Sequence, residues 1–382
     1  MVIISKPLFY DKLELAISCR ELVHPDVGSC TKANLKLCSE DFLKGVFYFY
    51  LPIHLLQVIL DYRKIKRKHF LKNLLQNVLR SECFGVSFGA LIIATICLQR
   101  HFTERFHYYS LLLLPGVVAG ISLRWEHPRN RQLNTILWAS LVVEALFKNS
   151  YYFKIFSYSP VKETLIFMIF SSLLMHLFVN RDKKHIPFNL WFYKPSHPKK
   201  FKFTLWNYFI EISKYFGFGY GLNSVRCVLK DAKMVFKNPL QFVRKTIFNR
   251  SNVKFGIIIG AYVGLFRGVS VLLQKYTDFE RANAAIAGLV AGLSYYIQPN
   301  MTVLTTAIVT VFQILCQQIA TKPKFRKIPF AELIFMFCNG ILFFNRIVAP
   351  VTCPKYYMNM LRITGNGELE KIYVRLVNKY LP

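Results

Sequence analysis

An all-α, polytopic helical membrane fold is predicted by three features of this chain: a glycine ladder, a series of apolar runs of membrane length, and a duplication of those runs. The ladder is Gly256, Gly260, Gly264 and Gly268, one glycine every fourth residue within the apolar run Phe255 to Leu273. In water such a helix is poor, because each interior glycine costs about 1 kcal/mol against alanine. In a bilayer the missing side chains open a groove in which a second helix approaches backbone to backbone. At about 1.5 Å of rise per residue the run matches the roughly 30 Å hydrocarbon thickness. Four residues turn a helix by about 400°, so the stripe precesses by about 40° per step, which suits a right-handed crossing. The ladder is expected to be the most mutation-sensitive element of the chain.

Composition points the same way. Hydrophobic residues make up 53% of the chain and aromatics 16%, and mean hydropathy is +0.30. Lys and Arg number 50 against 20 acids, a formal charge of +30. A soluble nucleic-acid binder could carry that charge but not the repeated apolar runs, so nucleic acid is excluded as a partner. The charges fall between the runs, as loops facing anionic lipid would have them. Spanning or deeply buried segments are expected at 42–60, 84–98, 109–123, 134–147, 164–179, 255–273, 282–297, 302–320 and 330–349. Several are shorter than the roughly 17–25 residues of a perpendicular span. These would borrow flanking aromatics such as Tyr108, Tyr109, Tyr295 and Tyr296, or sit in a thin bilayer.

The runs recur in order. Gly116 to Ser122 reads GVVAGIS and Gly288 to Ser294 reads GLVAGLS; Leu165 to Met168 and Leu333 to Met336 are both LIFM. Phe178 to Arg181 (FVNR) matches Phe343 to Arg346 (FFNR), and KNLLQ from Lys72 matches KNPLQ from Lys237. The offset stays between 165 and 172 throughout. Two tandem similar units of about four apolar helices follow, over 72–181 and 237–346. The chain then divides into an amino-terminal Cys/His-containing segment (1–41), a first membrane unit (42–181), a basic linker (182–236), a second, glycine-rich membrane unit (237–349) and a tail (350–382). Whether the units are parallel or inverted depends on 206–229. This segment carries Glu211, Lys214 and Arg226, and reads as an interfacial helix because three charges in one short span are expensive.

Two charges lie within apolar runs, Glu144 and Arg267. An ionisable group at depth costs at least about 2.5–3.5 kcal/mol unless paired or wet, so each is expected to be paired, to snorkel, to line a polar pathway or lipid-headgroup site, or to mark a segment end placed elsewhere. In the first unit Gly85, Gly89, Gly116 and Gly120 repeat the small-xxx-small spacing, as Gly288 and Gly292 do in the second; all are read as helix-packing positions. The run Arg63, Lys64, Lys66, Arg67 and Lys68 is expected to contact anionic headgroups. Residues 1–20 contain Lys6, Asp11, Lys12 and Glu14 and do not read as a secretory signal. The nine cysteines are odd in number and scattered, unlike an extracellular disulfide framework. Cys19, His24, Cys30 and Cys38 supply metal-compatible ligands without a tight Cys-x2-Cys knuckle, leaving ordinary thiols, a disulfide or a metal site open. There is no phosphate loop, H-E-x-x-H pair or Gly-x-Ser-x-Gly elbow, and neither enzyme activity nor a cofactor is expected.

The segment Cys19 to Cys30, CRELVHPDVGSC, resembles the Cys/His-Pro/Ser-Cys amino terminus of the transmembrane protein 135 family. FGALIIA at 88–94 and VEALFK at 143–148 are similar to that family's first membrane block, and GAYVGLFRGVS at 260–270 with AAIAGLVAGLS at 284–294 to its second. The glycine-rich block also resembles, more distantly, the superfamily of mitochondrial inner-membrane protein translocases and peroxisomal membrane proteins. Two departures stand out. Residues 182–204 are short and cysteine-free, and Gln313 stands where the second unit often has a glutamate. The resemblance implies a non-enzymatic multi-pass protein of mitochondrial and peroxisomal membranes, linked to mitochondrial division and lipid homeostasis. Its implied partners are membrane lipids, a second copy of itself, or division and lipid-handling proteins. A lipid or small-solute transporter and a protein-translocase-like subunit are the alternatives.

Overall fold

A computed structural model of the chain describes residues 18–60, 69–179, 190–195, 205–230, 248–320, 325 and 328–380. In chain order the helices are α1 (Cys19–Leu22), α2 (Cys30–Lys36), α3 (Leu43–Leu60), α4 (Phe70–Thr103), α5 (Tyr108–Leu112), α6 (Leu114–Ala119), α7 (Pro128–Tyr152), α8 (Pro160–Val179), α9 (Leu205–Lys230), α10 (Arg250–Gln274), α11 (Glu280–Ala291), α12 (Met301–Ala320), α13 (Phe330–Val348), α14 (Lys355–Thr364) and α15 (Glu368–Tyr380). There is no strand among the described residues. A π-helical turn, Leu37–Phe42, joins α2 to α3, and 3₁₀ turns follow α6 (Gly120–Trp125) and α11 (Gly292–Ile297).

The all-α membrane class expected from the sequence is the one adopted. Six helical segments among the described residues are long and apolar enough to cross a membrane: Phe70–Thr103, Tyr108–Trp125, Pro160–Val179, Arg250–Gln274, Met301–Ala320 and Phe330–Val348. The expected segments 134–147 and 282–297 are helical but are not among these six, while 42–60 forms α3, an apolar helix of 18 residues with Pro52 inside it.

The chain forms two compact units, one of residues 1–156 with 324–382, the other of residues 157–323. These boundaries differ from the tandem segments read from the sequence, and the glycine motifs show why. In the first unit α6 and its 3₁₀ turn pack on α13. A Cβ added at Gly120 would sit 2.6 Å from the Met336 Cα, and one at Gly116 would sit 2.7 Å from the Phe343 Cβ. In the second unit α11 packs on α8. A Cβ at Gly292 would sit 2.6 Å from the Met168 Cα, and one at Gly288 would sit 2.8 Å from the Ser171 carbonyl oxygen. Each GxVAGxS motif therefore holds the LIFM helix from the other half of the sequence. Both motifs tighten into a 3₁₀ turn just before a proline. Gln298, ahead of Pro299, is extended at φ −157°, ψ 93°, as the proline ring requires.

One buried polar group closes each crossing. Asn339 of α13 donates to the Gly116 carbonyl at 2.5 Å and accepts from the Trp138 indole at 3.2 Å and the Tyr357 hydroxyl at 3.1 Å. At the matching place in the second unit the Ser171 hydroxyl donates to the Gly288 carbonyl at 2.7 Å. It also meets the Tyr262 hydroxyl at 2.8 Å. Glycines let the helices approach, and the exposed carbonyls then take a donor from the partner helix.

The ladder lies in the second unit, against α9. Gly256 faces Phe216, Gly260 faces Phe216 and Ile212, and Gly264 faces Ile212 and Tyr208, so α9 runs antiparallel along α10 and not across its end. Asn223 continues the seam by donating to Asn252 at 2.8 Å. Contact is loosest at the far end of the stripe. An added Cβ would meet a neighbour at 3.0 Å at Gly256, 3.3 Å at Gly260, 3.1 Å at Gly264 and 3.5 Å at Gly268. The precession of the four-residue spacing carries the stripe away from α9. Tighter approaches lie at Gly45, which faces the Ile363 carbonyl, at Gly340, which faces Val117, at Gly116, Gly120, Gly288 and Gly292, and at Gly85 and Gly89, which face Val46 and Phe42.

Candidate functional site

The amino-terminal segment is shaped to bring polar side chains onto the end of α4. Ser18 caps α1, its hydroxyl accepting from the Glu21 amide at 3.2 Å, which satisfies one of the free donors of a helix start. The next four residues, His24-Pro25-Asp26-Val27, form a tight turn closed by the Val27 amide on the His24 carbonyl at 3.2 Å. Proline suits the second position because its φ is preset. Arg375 of α15 secures the segment by donating to the carbonyls of Leu22 and Val23 at 3.4 and 3.2 Å.

The result is a cluster. Cys19 Sγ lies 3.4 Å from Cys30 Sγ, and His24 Nε2 lies 3.3 Å from Cys30 Sγ. Cys97, from α4, completes a set whose ligand atoms all lie within 4.8 Å of one another. His24 and Cys97 are buried, Cys19 and Cys30 half-buried. Burial, with the neighbouring Cys30 thiol, pushes the Cys19 thiol above its ordinary value. Of the four residues grouped by the sequence, Cys38 is not part of this set. It sits on the π turn with Asn34 as its partner at 3.7 Å, and burial raises its thiol as well. Cys97 escapes sequence reasoning because it stands far along the chain from Cys30, inside an apolar run. A geometric signal against Cys38 exists: the stretch from Cys30 to Cys38 along a continuous helix is about 12 Å, too far for shared ligation with Cys30.

The intramembrane charges each have a partner in their own unit. Arg267 Nη2 is 2.9 Å from Glu211 Oε1, and both side chains are largely buried. Glu211 is one of the charges that argue for an interfacial 206–229, and this pairing offsets its cost. Arg267 also lines, with Tyr193, Ser270, Gln274, Glu280 and Asn283, a cavity of about 60 Å³. Glu144 pairs with Lys148 at 2.6 Å, one turn along α7. Replacing Glu211 by Gln should remove the carboxylate that pairs with Arg267. The cost lies between the exposed limit of about 0–1 kcal/mol and the buried limit of about 3–5 kcal/mol, so about 2 kcal/mol is expected. Adding Arg267→Met should restore most of the loss. Unfolding of the detergent-purified chain, followed for both variants, checks the sign. The basic run Arg63 to Lys68 lies outside the described residues.

No solved structure matches the chain. Residues 16–151 match the family model described as the N-terminal cysteine-rich region of Transmembrane protein 135. That stretch contains all four residues of the Cys/His cluster, together with the α4 and α6 glycines. Over this region, about a third of its length, the chain is similar to the transmembrane protein 135 family.

Proposed function

We propose that this chain is a non-enzymatic multi-pass protein of mitochondrial and peroxisomal membranes, supporting mitochondrial division and lipid homeostasis. The observation that carries the reading is the match of residues 16–151 to the N-terminal cysteine-rich region of Transmembrane protein 135, on a chain with six helical segments of membrane length among its described residues. The polar groups between helices, Asn339, Ser171 and Asn223, are engaged in holding helices together. Such an architecture suits a scaffold that acts through lipids, a second copy of itself, or division and lipid-handling proteins.

Depletion of the chain should change mitochondrial length and shift cellular lipid composition. The chain tagged at its own locus should overlap mitochondrial or peroxisomal markers. Residence at the cell surface, or unchanged organelles and lipids after depletion, would overturn the reading. A transporter of lipid or small solutes is the second reading, favoured by Arg267 beside its cavity. That space of about 60 Å³ shares Val179, Gln274, Glu280 and Asn283 with a wider cavity of about 970 Å³, and flux into proteoliposomes separates the two readings.

A further inference from the structure

We infer that Cys19, His24, Cys30 and Cys97 form a tetrahedral site for a divalent zinc ion that ties the amino-terminal segment to the end of α4. The inference does not depend on the organelle reading above. Three thiols and one imidazole are a donor set that structural zinc takes, with Zn–S of about 2.3 Å and Zn–N of about 2.0 Å. In a tetrahedron those bonds place sulfurs about 3.8 Å apart and sulfur about 3.6 Å from nitrogen. The observed 3.4 Å between Cys19 and Cys30 and 3.3 Å between His24 and Cys30 lie within a few tenths of an ångström of those edges. The whole set lies within 4.8 Å. A disulfide would hold its two sulfurs at about 2 Å. At 3.4 Å, Cys19 and Cys30 are free thiols.

The histidine gives an independent indication. His24 Nδ1 lies 2.8 Å from the Val27 carbonyl oxygen. A carbonyl only accepts, so Nδ1 carries the proton and donates. In the neutral ring Nε2 then holds the free lone pair, and Nε2 is the nitrogen that faces the thiols. A ligating histidine whose other nitrogen donates to a backbone carbonyl is the usual outer-shell arrangement, fixing both tautomer and ring orientation. Fixing it here falls to the His24–Val27 turn, built from four consecutive residues.

Place in the fold supports a structural ion. α4 runs from Phe70 to Thr103, about 50 Å at roughly 1.5 Å per residue, longer than the roughly 30 Å hydrocarbon layer. Cys97 stands near its carboxyl end, followed closely by Arg100 and His101. α1 and α2 are too short to hold position by their own helical hydrogen bonds. A four-coordinate ion would fix them on α4.

The test uses the full chain purified in detergent through a tag that binds no metal. Elemental analysis should find about one zinc per chain. Cys30→Ser and Cys97→Ser should lose it, while Cys38→Ser keeps it. Because a ligand variant can fail to fold, the unaltered chain is also alkylated with and without a zinc chelator. Cys19, Cys30 and Cys97 should become reactive only after chelation, with Cys38 and the exposed Cys83 indifferent to it. A zinc-free chain, retention of zinc by Cys97→Ser, alkylation independent of chelator, or a Cys19–Cys30 disulfide trapped directly from cells would each overturn the inference.

Discussion

Alanine at Gly120 or Gly292 should destabilise the unit that contains it by about 1–3 kcal/mol, and leucine should prevent that unit from closing. The added Cβ falls 2.6 Å from a Cα of the facing helix, Met336 in one case and Met168 in the other. Backbone cannot rotate away as a side chain can. Gly217 and Gly221 of α9 provide the control, because nothing lies within 4 Å of a Cβ at either. There alanine should be neutral or stabilising by up to about 1 kcal/mol, through its better helix propensity. Thermal unfolding in detergent of the four alanine variants gives the comparison. Equal effects at Gly120 and Gly217 would mean that α6 and α13 are not in backbone contact.

Asn339→Leu should be the most damaging single change at a polar position. Asn339 is fully buried, and its one side chain serves three others: the Trp138 indole, the Tyr357 hydroxyl and the Gly116 carbonyl. Leucine has the same branched heavy-atom skeleton but leaves two donors and one acceptor buried without partners. Each such group costs about 1–3 kcal/mol, so a loss of several kcal/mol is expected. Ser171→Ala, at the corresponding place, leaves the Gly288 carbonyl and the Tyr262 hydroxyl short of a partner and should cost less. Trp138 offers a local readout, since loss of its hydrogen bond in Asn339→Leu should shift its fluorescence. A variant as stable as the parent would show that this network contributes nothing to the crossing.

Much of the fold is legible in the sequence because membrane helices announce themselves by hydropathy, and because glycines four apart have few uses other than close packing. The helical class and the glycines of GVVAGIS and GLVAGLS can be read from spacing alone. What is not legible is pairing. The LIFM tetrapeptide recurs on two helices, Pro160–Val179 and Phe330–Val348, yet nothing in a one-dimensional pattern says which glycine motif each one meets. Glu211 and Arg267 are both visible as awkward charges, but 56 residues separate them. Their meeting depends on the antiparallel register of α9 on α10. The Cys/His group shows the same limit on a smaller scale. Three of its members lie in a short stretch and stand out together, and the fourth arrives from a helix whose apolar character hides it.

The crosswise seating of the two LIFM helices also has a consequence in time. Ribosomes deliver roughly 5–20 residues per second, and roughly 200 residues separate Gly120 from Met336. The α6 groove therefore waits about 10–40 s for the helix that fills it. Helix α8 waits a shorter interval for α11. During that window the groove's backbone lies bare to lipid or to whatever machinery inserts the chain. A nascent chain interrupted before α13 would therefore carry an open groove in its first half.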